Sequence, residues 1–268
     1  MTYTVNCSIL LTELPLLERP AAAKAAGFDA VEFWWPFAEA VPSDADVDAF
    51  IGAIRDAGVS LTGLNFFAGD MPGGDRGLVS WPARSGEFRD SIAVLTAIGE
   101  KLGTKGFNAL YGNRVDESTA AEQDAIAVEN LAIAGRAVAA LGGTVLLEPV
   151  SGADRYPLLT AADAVGVIER VRTETGVDNV ALLADFYHLA VNGDDVPAVI
   201  EAHAASFGHI QIADAPGRGA PGTGELALEA WIARSRELGY AGPIGLEYKT
   251  PADEAFTWLS AQTTDAAR

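Results

Sequence analysis

Short apolar runs alternate with longer amphipathic stretches from one end of the chain to the other. Eight runs read as strands: TVNCSI, AVEFWW, VSLTGLNFF, GFNALYG, TVLLEPV, VALLADFY, FGHIQIAD and PIGLEYK. Each is short, apolar and bounded by glycine, proline or polar residues, as strands covered on both faces are. Between them, SDADVDAFIGAIRDAG, EFRDSIAVLTAIGEKLG and AEQDAIAVENLAIAGRAVAALGG carry apolar residues at helical spacing. Several such stretches open on acidic or Ser/Thr residues and close at glycine, at Gly27, Gly58, Gly103 and Gly142. Eight strands each followed by a helix predict an α/β protein, a single-domain (β/α)8 barrel over residues 1–268. A doubly wound open sheet is the alternative, but eight units with no second-domain break favour closure. The chain shows no linker, low-complexity segment or short-period repeat.

In such a barrel the chemistry sits at the C-terminal ends of the strands. Those ends carry Asn6, Glu32, Asn65, Asn108, Glu148, Asp185, Gln211 and Glu247. Any one of them could simply begin a loop. The second half is more telling, because Glu148, Asp185 and Glu247 each close an apolar run and Gln211 shares a face with His209 by strand alternation. Three carboxylates converging at one mouth repel each other unless they are protonated or bridged by a cation. An all-oxygen set without thiolate suits Mg²⁺ or Mn²⁺. Zinc or a metal cluster wants more imidazole than His188, His203 and His209 offer, and His203 reads as a surface helix residue. The stretch FFAGDMPGGDRGLVSWPARSGEF exceeds an ordinary strand–helix loop. It reads either as a surface loop anchored by Trp81 or as a lid holding Asp75 and Arg76 over a ligand.

Charge narrows the partners. With 18 Lys and Arg against 37 Asp and Glu, the formal charge is −19. That balance excludes a nucleic-acid binder of the usual basic kind, and an anionic substrate then needs a local cation or an Arg/Lys cluster. The lone Cys7, inside a strand-like run, rules out an internal disulfide framework and reads as a small core residue. No basic segment precedes the first apolar residues, and no apolar run is long enough to span a membrane, so a soluble cytoplasmic protein is expected.

The segments VEFWWPF, AGDMPGGDRGL, LLEPVS, ADFYHL, GHIQIADAPGRGAPGTGEL and GLEYK resemble hydroxypyruvate isomerases of the xylose isomerase-like (AP endonuclease family 2) TIM-barrel superfamily, over nearly the whole chain. The resemblance implies a divalent metal on Glu148, Asp185, Gln211 and Glu247, with Glu148 and Glu247 also the acid/base pair. It makes the reaction an interconversion of hydroxypyruvate and tartronate semialdehyde through an enediol. His188 becomes a substrate contact, and Arg218 leads Lys249 and Arg76 as the grip on the substrate carboxylate. Asn65 joins the substrate contacts, while His209 and Asn108 support the ligands through hydrogen bonds. Related activities on the same site are 2-oxo-tetronate isomerase and ketose 3-epimerase. In the epimerases the position of Gln211 is usually His, so the Gln points to the isomerase branch. An inosose dehydratase-like lyase and a sugar-acid binding barrel without turnover are readings of other classes. Endonuclease IV needs a histidine-rich three-zinc site that three histidines cannot build. Dimers and tetramers are common in the family, so a homo-oligomer is compatible with it.

Gly217, Gly219 and Gly222 spell G-x-G-x-x-G, yet the run fails as a dinucleotide turn. Only one strand follows it, and Pro221 interrupts it. It reads instead as a mouth loop that lets Arg218 turn over Gln211, with Thr223 capping the next helix and Glu225 in that helix's first turn.

Overall fold

The computed structural model describes residues 2–259. Its strands are β1 (Tyr3–Asn6), β2 (Ala30–Phe33), β3 (Ser60–Asn65), β4 (Gly106–Asn108), β5 (Thr144–Leu147), β6 (Val180–Asp185), β7 (Phe207–Ile212) and β8 (Ile244–Leu246). All neighbouring pairs are parallel, and β8 returns to β1 to close an eight-stranded barrel. The open-sheet alternative is thereby excluded. Each of the eight apolar runs forms one strand.

The helices are α1 (Arg19–Ala25), α2 (Asp44–Ala57), α3 (Ser85–Leu102), α4 (Ala120–Ala139), α5 (Ala161–Thr175), α6 (Phe186–Val191), α7 (Val196–His203) and α8 (Leu228–Glu237). Local chemistry explains where they begin and end. Ser43 accepts the Asp46 N–H at the start of α2. Thr119 with Glu122 and Thr160 with Asp163 form reciprocal capping boxes on α4 and α5. Gly58 ends α2 in the left-handed region at φ +65°, where a Cβ would add strain. Beyond β6 the chain makes two short helices, α6 and α7, rather than one, because Gly193 at φ +84° breaks the first and Asp195 caps the second by accepting the Ala198 N–H.

Between the strands and the outer helices lies the main core. Phe33 packs edge-on against Phe50, and Phe66 lies between Phe88 and Phe107. All five rings are essentially buried. Truncating any of them to Ala removes about 3–5 kcal/mol of packing and transfer free energy. The long segment after β3 does not hang free. Leu78, Val79 and Ser80 are buried, Ser80 N–H donates to Tyr111 O, and Asn130 Nδ2 donates to Val79 O at 2.8 Å. Trp81 packs partly against the core with the Arg84 guanidinium over its ring. No helix among the described residues is long and apolar enough to cross a membrane.

Cys7 is fully buried, and that burial pushes its thiol up to about 12. Native protein should therefore leave Cys7 unreactive toward Ellman's reagent near neutral pH, with one equivalent appearing only on denaturation. Rapid labelling of the native chain would contradict this burial.

Candidate active site

All eight strand-end polar residues, Asn6, Glu32, Asn65, Asn108, Glu148, Asp185, Gln211 and Glu247, are buried at one end of the barrel. Strand register sets six of them side by side in three pairs: Asn6 with Glu32, Asn65 with Asn108, and Asp185 with Gln211. Ligand atoms of Glu148, Asp185, His188 and Glu247 all lie within 4.8 Å of one another.

Each member is held differently. Glu148 accepts one side-chain hydrogen bond, from Asn108 Nδ2 at 2.8 Å. Asp185 caps α6, its Oδ1 accepting from Tyr187 N–H at 2.8 Å and His188 N–H at 3.3 Å. Glu247 is crowded with donors: Oε1 accepts from Trp34 Nε1 at 2.8 Å and Asn6 Nδ2 at 2.9 Å, and Oε2 pairs with Arg218. Arg218 also lies 3.7 Å from Asp185 Oδ2 and stacks 5.3 Å above the Tyr187 ring. Gln211 donates Nε2 to Glu32 Oε1 at 2.7 Å.

His188 has a defined tautomer. Ser151 donates its backbone N–H to Nδ1 at 3.0 Å, and a backbone N–H can only donate. The ring proton is therefore on Nε2, which lies 3.6 Å from Asp185 Oδ2 and 3.9 Å from Glu148 Oε1. Burial, reinforced by Arg218, lowers the His188 pKa to about 3. The ring is a neutral donor, and Nε2 has no lone pair to offer a metal.

Electrostatics in the cluster follow from lost water. Burial first, then the charges of Glu247 and Asp185, push the Glu148 carboxyl well above the usual range. Burial also raises Asp185 against the opposing pull of Arg218. The same contest leaves Glu247 at about 7. Among the buried side-chain oxygens of the strand-end residues, Asn108 Oδ1, Asp185 Oδ2 and Gln211 Oε1 have no hydrogen-bond partner. Orphaned oxygens beside crowded carboxylates fit a hard divalent cation, with Glu148, Asp185, Gln211 and Glu247 as donors.

A family model described as a xylose isomerase-like TIM barrel matches residues 20–262. The chain belongs to the xylose isomerase-like TIM-barrel family. Within the family it is 52% identical to a putative hydroxypyruvate isomerase of Streptomyces coelicolor, over 97% of this chain and 95% of that one. It is 34% identical to a 2-oxo-tetronate isomerase of Cupriavidus necator, over 93% of each. The crystal structure of an AP endonuclease, family 2, from Brucella melitensis superposes with a TM-score of 0.86 at 28% identity, covering 97% of this chain and 98% of that one.

Beside Glu148, Asp185, Gln211 and Glu247, the barrel mouth gathers Asn108 against Glu148, His188 against Asp185, and Arg218 against Glu247. His209 is one step removed, bonded through Nε2 to Glu32 at 2.8 Å. Asn65 is buried at the end of β3, beside Asn108 in register. Lys249 is exposed beyond β8, and its backbone N–H donates to Arg218 O, while the side chain that pairs with Glu247 is Arg218. Arg76 gives its guanidinium to Met71 O and Asp75 O, while Asp75 holds Arg84 at 2.6 Å, so both brace their own loop. His203 ends α7, half-buried. Phe33, at the end of β2, belongs to the core, whereas Trp34 just beyond it reaches the site.

The glycine loop corrects one expectation. Helix α8 begins at Leu228, so Thr223 does not cap it and Glu225 is not in its first turn. Thr223 Oγ1 donates to Ala220 O within the loop. What organises the loop is Asp214, a residue without a motif to mark it. Its buried carboxylate accepts from the backbone N–H groups of Ala215, Gly222, Gly224 and Leu226 at 2.9–3.0 Å. Asp214 N–H and Gly219 N–H also exchange backbone bonds. This hub holds Arg218 at φ +57°, a left-handed conformation costing roughly 1–2 kcal/mol outside glycine.

Two expectations follow. Asp214→Ala strands four N–H groups, so unfolding by denaturant should register a loss of about 2–4 kcal/mol, with faster proteolytic cleavage between 214 and 226. Unchanged stability and cleavage would remove the hub role. The second concerns pH. A carboxyl whose folded pKa is raised binds its proton more tightly in the folded chain. Its contribution favours the metal-free fold at low pH and is lost as pH rises from the ordinary 4.5 through about 7. A divalent cation should therefore raise the melting temperature of EDTA-treated protein markedly near pH 7.5 and only slightly near pH 5. Equal shifts at both would count against cation binding by these carboxylates.

Proposed function

We propose that this chain is an isomerase that interconverts hydroxypyruvate and tartronate semialdehyde by proton transfer through an enediol. Glu148, Asp185, Gln211 and Glu247 would hold a divalent cation, Mg²⁺ or Mn²⁺. The observation that carries the reading is the convergence of two buried glutamates, Glu148 and Glu247, on one small space with an aspartate between them in the chain and orphaned oxygens beside them. The 52% identity to the Streptomyces coelicolor relative supports the choice of substrate pair.

When bound, the cation supplies Lewis-acid polarisation of the substrate carbonyl and hydroxyl oxygens. The residues supply the rest. One glutamate removes the proton at C3 of hydroxypyruvate and the other delivers a proton to C2, while the hydroxyl proton passes from O3 to O2 in the enediol, so the carbonyl moves by one carbon. His188, neutral with its proton on Nε2, donates to the substrate oxygen that gains charge. Arg218 bonds Glu247 through Nε and Nη2, which leaves Nη1 for the substrate carboxylate. That arrangement ties the carboxylate grip to one of the proton carriers. Trp34 and Asn6 hold Glu247 in place through the transfer. In a chain of net charge −19 a small hydroxy-keto acid needs a local positive group for its carboxylate, and Arg218 supplies one beside the buried carboxylates. The 34% identity to the Cupriavidus necator relative supports 2-oxo-tetronate as the second candidate substrate.

Incubation with hydroxypyruvate and Mn²⁺ in D₂O, followed by proton NMR, should show deuterium entering the carbons between which the carbonyl moves. A panel of C3 to C6 hydroxy-ketones with and without EDTA ranks the substrates, and absence of exchange with all of them would overturn an isomerase reading. Loss of water instead would indicate a lyase. Glu148→Gln and Glu247→Gln should keep the fold by circular dichroism and lose turnover by about 10²–10⁴-fold or more. Near-normal turnover in either variant would remove that residue from proton transfer.

A further inference from the structure

A side-chain amide can turn either its oxygen or its NH₂ toward a cation, and only the oxygen binds one. In Gln211 that choice is set by a chain of hydrogen bonds that begins at the backbone. Ser8 N–H donates to Asn6 Oδ1 at 3.0 Å. Asn6 therefore presents Nδ2 on its other side, donating to Glu32 Oε1 at 3.2 Å and Glu247 Oε1 at 2.9 Å. Glu32 Oε1 is thus an acceptor, and the Gln211 atom 2.7 Å from it must be the amide nitrogen. The same nitrogen lies 3.4 Å from Glu247 Oε1, so both amide protons face carboxylates and Oε1 is left unpaired.

Glu32 itself is fixed on its far side. His209 Nε2 meets Glu32 Oε2 at 2.8 Å. The space for this layer comes from β8, where Gly245 pairs with Gln211. A Cβ at Gly245 would stand 2.7 Å from Gln211 Cγ, 2.8 Å from Glu32 Oε1 and 2.9 Å from His209 Nε2. A glycine there is the only residue that admits the three side chains together. Glu32 is only 3% exposed, yet it belongs neither to the four donors nor to the proton carriers. A carboxylate buried at that cost without a chemical part needs another reason to be there.

We propose that Glu32 is a positioning residue that locks the Gln211 amide so that Oε1 is the atom offered to the cation. The proposal rests on Gln211 being one of the metal donors. Glu32→Gln preserves shape but replaces an obligate acceptor with an amide that can donate, so Gln211 can turn over. Isothermal titration of EDTA-stripped protein with Mn²⁺ should show the dissociation constant rising about 10- to 100-fold in Glu32→Gln, as for other residues that orient metal ligands. The deciding comparison is the double variant. In a Gln211→Ala background, Glu32→Gln should add less than about twofold, because the amide it orients is gone. An equal weakening in both backgrounds would mean that Glu32 merely supports the barrel, and would overturn the proposal. If Gln211→Ala leaves Mn²⁺ affinity unchanged, Gln211 is not a donor and the metal reading itself fails at that residue. If Gln211→Ala weakens binding while Glu32→Gln does not, only the positioning role falls. Should Glu32→Gln not fold, Glu32→Asp, which retracts the acceptor by one methylene, enters the same cycle. It should weaken binding about 3- to 10-fold on its own and add nothing once Gln211 is Ala.

Discussion

Four acidic side chains, Glu32, Glu148, Asp185 and Glu247, are withdrawn from water at one end of the barrel. Carboxylates in such surroundings strongly disfavour ionisation unless donors or cations meet them. Most of the polar detail at this end of the molecule answers that constraint. Asn108 serves Glu148, the first turn of α6 serves one oxygen of Asp185, and Trp34, Asn6 and Arg218 serve Glu247. Glu32 is answered by Asn6, Gln211 and His209. The account does not balance at Asn108 Oδ1, Asp185 Oδ2 and Gln211 Oε1, and a hard cation would balance the last two.

The same constraint explains why loops that look variable are tightly built. Arg218 is the only guanidinium that reaches the carboxylate cluster among the described residues. It reaches from a loop rather than a strand, and its backbone sits in a disfavoured region. Asp214 makes that possible by gathering four backbone N–H groups of the loop onto one buried carboxylate. One buried acid thus organises the segment that neutralises others. The segment after β3 is likewise anchored, through Ser80 and Asn130, rather than free to swing as a whole.

The barrel and its ring of strand-end polar residues were legible because both depend on local periodicity. A strand covered on both faces must be apolar, so the polar residue that ends it stands out, and eight such endings converge once the sheet closes. Glu148, Asp185, Gln211 and Glu247 could be found that way, and Asn6 and Glu32 appeared in the same pattern without a function attached. Ser151, Trp34 and Asp214 left no such mark. Ser151 matters through a backbone N–H, which every residue but proline has. Trp34 sits among aromatics that pack elsewhere, and Asp214 follows a strand as many loop aspartates do. Thr223 and Glu225 had the spacing of a helix start, yet Asp214 keeps that stretch as a loop and α8 begins later.

The amino-acid sequence alone determined the number of strands, their order, and which polar residues end them, because side-chain burial repeats with the period of the backbone. Only the tertiary structure decided which hydrogen-bonding end each buried group presents. It protonated His188 on Nε2 through Ser151, turned Gln211 by way of Glu32, and gave Arg218 to Glu247. Those choices are made by donors and acceptors far apart in the chain, such as Asn6 and Glu247, whose meeting exists only after the barrel has closed.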